Sequence, residues 1–255
     1  QYAMGLLLLR IDRLAEAEVR LTRALRISPR HRGALEAAGR VLLRLGRTEQ
    51  AISRFEAVVR LTDCNDLALG GLAAALVVDG RAAQGQSTFQ DAVECATPAH
   101  RDAWRAGLAM AYAADGRYEL AEEEIHRTGD FFSPPVGLAM AERLDQAREG
   151  FREAGCDAHE MVCRQANGEL WSGLMLLTVL GAPDAAEREL REAVSLYDGD
   201  PMTRWALAEA LAELGRDSDA ILELDRADAW EPAEALSDAM AALRRRLRGR
   251  GEETP

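Results

Sequence analysis

The chain has 255 residues, 48% of them apolar and 29% charged, an ordinary balance for a soluble protein with ample material to bury. Aromatics are only 5% and alanine and leucine fill the apolar share, which favours helix over sheet. The net charge of −12 argues against general nucleic-acid affinity, and the early apolar run MGLLLL is stopped by Arg10, far short of a membrane span.

In chain order, the first element reads GLLLLRIDRLAEAEVRLTRAL, with Asp12 between two helical runs. The second, GRVLLRLGRTEQAISRFEAVV, turns at Gly46, and the third, GLAAALVVDGRAAQGQSTFQDAV, at Gly80. The fourth, GLAMAYAADGRYELAEEEI, turns at Gly116. The pattern breaks between residues 128 and 167, where FFSPP precedes VGLAMAERLDQAREGFREAGCDAHEMVCRQA. It resumes with GLMLLTVLGAPDAAERELREAV about Gly181 and ALAEALAELGRDSDAILELDRA about Gly215. A final stripe, Leu236, Met240, Leu243 and Leu247, lies on one face of a helix with a polar far side, which suits a terminal cap.

Each turn residue is followed five positions later by a small residue: Ala17, Ala51, Gly85, Ala121, Ala186 and Ala220. Four further on comes a bulky one: Leu21, Phe55, Phe89, Ile125, Leu190 and Leu224. Self-similarity at a period of about 34 residues means stacked units. Each unit is predicted to be two helices. The first carries apolar residues at helical spacing, as in Leu35, Ala38, Leu42 and Leu45, and ends where glycine adopts the left-handed cap. The second begins two residues later, the small residue lets the two axes approach, and the bulky one fills the gap beside it.

This skeleton resembles the tetratricopeptide repeat family. The unit from Asp102 matches its pattern with Ala109, Tyr112, Gly116, Ala121 and Ile125. The unit from Pro201 matches with Ala208, Leu211, Gly215, Ala220, Leu224, Ala227 and Pro232, and the first unit with Gly5, Leu8, Ala17, Leu21, Ala24 and Pro29. The resemblance implies an all-α, right-handed α-solenoid of antiparallel helix pairs over residues 1–250. Its units run about 1–31, 32–65, 66–101, 102–130, 131–166 (degenerate), 167–200 and 201–234. A capping helix at 235–249 and a flexible tail at 251–255 follow. In the degenerate unit Pro134 and Pro135 leave room for a shortened first helix, and Ala147, Phe151 and Ala154 fit a second. Gln1 in place of Met, with no cap ahead of the first unit, reads as a piece trimmed from a longer chain.

No catalytic constellation is recognisable, so no enzyme activity and no cofactor are expected. GRAAQGQS at 80–87 has Gly80, Gly85 and Ser87 of a phosphate loop, but Gln86 replaces the lysine and the segment lies between helices. Cys156, His159 and Cys163 have the spacing of three metal ligands without a fourth; the alternative is two small buried thiols beside a surface histidine. With Cys64 and Cys95 they form no close-spaced framework, so a reduced, cytoplasmic location is the default. All 31 basic residues are arginine, as a GC-rich bacterial genome would produce. The run RRRLRGR at 244–250 complements a helix C-terminus.

The resemblance also implies a concave groove lined by the first helices. Carried over, its partner-binding positions are Arg10, Arg40 and Arg44, then Gly70, Ala74, Val78, Met110 and Ala114, then Trp171, Met175, Trp205 and Glu209. One wall is cationic, the centre small and apolar, and the far end carries tryptophans and acids; alternatively the central residues pack on neighbouring helices. The expected function is a protein–protein interaction scaffold or adaptor holding a partner peptide there. A regulatory or docking module of a larger enzyme is the alternative. Nucleic-acid binding through residues 1–60, with 12 Arg against six acids, stands behind both, and self-association is possible.

Overall fold

The computed structural model describes residues 1–129, 131–149 and 160–252, and their side chains except at 134–135, 145–149, 160–164 and 251–252. Among these residues every regular element is a helix. Four hairpins come first: α1 (Tyr2–Arg10) with α2 (Leu14–Ile27), α3 (Arg32–Arg44) with α4 (Thr48–Val59), α5 (Asp66–Val78) with α6 (Ala82–Cys95), and α7 (Pro98–Ala114) with α8 (Tyr118–Arg127). A single helix α9 (Pro134–Glu149) follows. Then α10 (Glu160–Thr178) pairs with α11 (Pro183–Leu196), α12 (Pro201–Glu213) with α13 (Asp217–Asp228), and α14 (Glu234–Glu252) ends the array.

The turns follow from one backbone device. Gly46, Gly80, Gly116, Gly181 and Gly215 all have positive φ, and Asp12, in the glycine's place, has φ 61°. This left-handed residue lets the next N–H reach back five residues, as Arg47 N does to Leu42 O (2.9 Å), Arg117 N to Tyr112 O (2.9 Å) and Arg216 N to Leu211 O (2.9 Å). Orphan carbonyls at the end of the first helix are thereby satisfied, and the chain re-enters a helix at once. Pro98 starts α7 four residues ahead of the repeat boundary at Asp102, because a proline's missing N–H costs nothing at a helix start.

Packing within and between hairpins follows the small-and-bulky spacing. Ala17, Ala51, Ala121, Ala186 and Ala220 are buried, and so are Leu21, Phe55, Phe89, Ile125, Leu190 and Leu224. The bulky side chains rest on small residues of first helices: a Cβ added to Gly39 would lie 2.8 Å from Phe55 Cζ, and one on Gly107 2.5 Å from Phe89 Cε1. A polar tie joins successive units on the surface. Arg47, Arg117 and Arg216, each just after a turn, donate to Glu18 (2.6 Å), Gln86 (2.8 Å) and Glu187 (2.6 Å) of the preceding hairpin.

Two features depart from the sequence reading. Residues 134–149 form one 16-residue helix where a short first helix and the start of a second were expected. Pro134 opens it and so does not interrupt it; Ala147 lies within it, while Phe151 and Ala154 fall outside the described residues. This α9 packs against α8 on one side and α14 on the other, tying the middle of the array to its end. The second departure concerns Cys64 and Cys95, read as free thiols. They are disulfide-bonded, with Cα atoms 5.7 Å apart. Their separation of 31 residues is nearly one repeat, so stacking brings them to the same edge of consecutive units.

Candidate functional site

The array curls until its next-to-last hairpin meets its second. α11 touches α3, and α10 lies across α7 and α5. Arg44, at the end of α3, is ion-paired to Asp184 at the start of α11 and to Asp12 in the first turn. Arg188 of α11 donates to the Arg44 carbonyl (3.1 Å), and so clasps the second hairpin to the one formed by α10 and α11.

Inside this ring the middle of the concave surface is filled by the chain itself. Trp171 and Met175 of α10 are fully buried, as are Met110 of α7 and Ala74 of α5. Asn167 fixes α10 in place: its Nδ2 donates to Ala113 O (3.3 Å) and its Oδ1 accepts from Trp171 Nε1 (3.2 Å). Gly70 is covered by the Trp104 ring, which a Cβ there would meet at 2.3 Å. Val78 and Ala114 are half-buried against the same core. The small apolar centre is therefore a helix-packing surface; α10 covers the floor on which a guest was expected.

Among the described residues a cleft of about 720 Å³ stays open between the first and last hairpins. Its N-terminal wall is Arg10, Asp12 and Arg44; its opposite wall is Trp205, Glu209 and Glu213 of α12 with Arg246 of α14. Leu174, Leu177 and Thr178 of α10 form the apolar floor, and Phe131, Phe132, Ser133 and Val136 the lip that leads into α9. The two phenyl rings pack edge to face with centroids 4.9 Å apart. Arg10, Arg44, Trp205 and Glu209 are thus brought together, whereas Arg40 is exposed outside the cleft. The lip escaped sequence reasoning; its one signal was the aromatic pair of FFSPP at the break in the period.

The electrostatics are uneven. Arg246 is ion-paired to Glu209 and reaches Glu213 (3.7 Å), which also lies 3.9 Å from Arg250. Burial pushes the Glu209 carboxyl above its ordinary value, opposed by the Arg246 charge and hydrogen bond. Each lining carboxylate therefore has a guanidinium partner. Arg10 has no carboxylate within ion-pair distance among the described residues. The Trp205 indole N–H is buried without an acceptor among the described residues. Outside the cleft, burial raises the Glu36 carboxyl, with Arg40 opposing.

The other motifs resolve into packing. Gly80 is a turn, a Cβ on Gly85 would lie 2.9 Å from Ala73 O, and buried Gln86 donates to Ala111 O (3.2 Å) and Asp115 (3.0 Å). GRAAQGQS is thus a hairpin and an inter-unit tie. In the basic run at 244–250, Arg244 binds Asp225 (2.8 Å) and Asp228 (2.7 Å), and Arg250 donates to Ala212 O (2.7 Å), while Leu243 and Leu247 are buried. Among the described residues no cluster of His, Cys, Asp and Glu could hold a metal ion; Cys156, His159 and the Cys163 side chain lie outside them. Among the described residues no helix is long and apolar enough to cross a membrane.

This geometry defines a class, the right-handed α-solenoid built from antiparallel helix pairs. Among solved structures, the C-terminal part of a tetratricopeptide-repeat protein from Cytophaga hutchinsonii superposes with a TM-score of 0.50 at 13% identity, covering 94% of this chain and 99% of that one. A tetratricopeptide-repeat protein from Parabacteroides merdae gives 0.49 at 14% identity, over 94% and 96%. The Cut9–Hcn1 hetero-tetramer gives 0.47 at 17% identity over 95% of this chain, which spans about half (52%) of the matched chain. The fold is that of the tetratricopeptide repeat. No protein-family model matches the sequence, and no curated protein does.

Proposed function

We propose that the protein is a non-catalytic interaction scaffold that receives a segment of a partner protein in the cleft between its first and last hairpins. The observation that carries this reading is the asymmetry of the concave surface. Its centre is sealed by α10, while the cleft keeps an aromatic lip, an apolar floor and a cation, Arg10, with no carboxylate partner among the described residues. Its volume falls in the range of sites that engulf compact groups, so it suits one or two anchoring side chains better than a long extended strand. Aromatic and arginine side chains are frequent anchors of such contacts. Nucleic-acid binding is less well supported, because Arg13, Arg44 and Arg47 of the basic end are engaged by acids of this chain.

The test is capture of partners from the source cell by the intact protein, compared with variants of the exposed Arg10 (Arg10→Glu) and of the half-buried Phe132 (Phe132→Ser), both checked for native helix content. Partners retained by the parent and lost by both variants support the cleft. A partner that binds all three equally would place its site elsewhere. The disulfide supports a location in an oxidising compartment over the reducing cytoplasm. Alkylation of denatured, unreduced protein then leaves Cys64 and Cys95 unlabelled; labelling of both returns the chain to a reducing one.

A further inference from the structure

We infer that the cleft selects a short acidic–apolar segment, one whose bulky side chain enters between Phe132, Leu177 and Trp205 while a neighbouring carboxylate meets Arg10. This rests on the cleft being the partner site and specifies what it takes. Charge decides the sign of the guest. Asp12 is held by Arg44, and Glu209 and Glu213 by Arg246, so the acids of the lining are already satisfied. Among the described lining residues Arg10 alone is left to attract a charge, and a guanidinium pairs with a carboxylate through short, charge-assisted hydrogen bonds. A cationic guest would meet that uncompensated positive charge and find each acid engaged.

A second group points the same way. Trp205 lines the cleft and is 2% exposed, and its Nε1 has no acceptor among the described residues. A buried donor without a partner is unfavourable, and a guest that supplies a carbonyl or carboxylate oxygen removes that cost. A purely aliphatic plug would leave it in place. The aromatic and aliphatic lining accounts for the apolar part of the guest, and Arg10 with Trp205 Nε1 for its acceptors. The contacts come from hairpins distant in sequence, so they exist only while the ring is closed.

The experiment is selection of a random linear-peptide library displayed on phage against the intact protein, then titration of one enriched synthetic peptide. Enriched sequences should pair Asp or Glu with Leu, Phe or Met. Arg10→Glu should weaken the peptide by about tenfold or more, and a Lys-for-Glu peptide should regain affinity for that variant. Trp205→Phe keeps an aromatic side chain but removes the pyrrole ring with its N–H donor, and should weaken binding by about fivefold or more. Circular dichroism of both variants shows that they are folded. Enrichment of basic or uncharged sequences, or acidic peptides indifferent to Arg10→Glu, overturns the proposal. Absence of any enriched peptide also overturns it. If a folded partner from the source cell still depends on Arg10 and Phe132 in that case, the scaffold reading stands and the short acidic guest alone fails.

Discussion

Asp12 and the turn glycines do the same work by different means: an L-residue pays for the left-handed region with Cβ strain, and glycine does not. Gly80 isolates that term, since a Cβ there meets nothing within 4 Å. Gly80→Ala should therefore cost about 1 kcal/mol in urea unfolding, from the backbone alone. Gly39→Ala has no such backbone term but drives a methyl into Phe55, and overpacking of this kind costs about 1–3 kcal/mol. A titratable pair gives a second residue-scale test. Burial, then a hydrogen bond to Glu169 and that residue's charge, raise the Glu189 carboxyl from 4.5 to about 8. The folded state thus keeps a proton that the unfolded chain releases above its ordinary value. Stability from this group is complete below 4.5 and declines as pH climbs toward 8. Glu189→Gln mimics the protonated form, so its Tm should exceed that of the parent at pH 8 and match it near pH 4. Turn positions and small-to-bulky contacts were legible because each is set within some 30 residues by backbone geometry. The Arg47–Glu18 type of tie was not, since a solvated arginine looks the same in sequence with or without a partner.

At the scale of elements, hairpins with a turn glycine were read from sequence down to the residue that starts the second helix, as at Thr48. α9 was not. Its route depends on contacts with α14, about a hundred residues away, and on the Arg143–Asp200 ion pair (3.3 Å) that meets the start of α12. No local signal encodes such a partner. Met140, on the buried side of α9, anchors this crossing. Met140→Ala should cost about 2–5 kcal/mol by denaturant melt. The disulfide belongs to this scale too, because it joins the loop before α5 to the end of α6. Replacing both cysteines by serine should lower stability by about 2–4 kcal/mol, read in the same melt under non-reducing conditions. The site was legible in part. Arg10, Arg44, Trp205 and Glu209 came from the repeat register, but the register cannot foresee that α10 would fill the centre or that α9 would supply the lip.

For the whole molecule, the clasp between α3 and α11 converts an open spiral into a ring. In an open array each unit feels only its neighbours and unfolding can spread from an end. Here Asp184→Arg would set two guanidiniums against each other at the seam. It should raise the radius of gyration in small-angle scattering and quicken hydrogen exchange at the ends of α3 and α11. An unchanged scattering profile would mean that apolar contacts of α10 hold the ring unaided.

Repeat proteins commonly lengthen or shorten by whole hairpins, since each addition asks only for one more matching face. This chain has given up that freedom. Insert a single hairpin between α6 and α7, and Arg44 and Asp184 swing out of register by one unit's width and rotation. The seam that joins them therefore acts as a gauge, fixing how many repeats the array can hold.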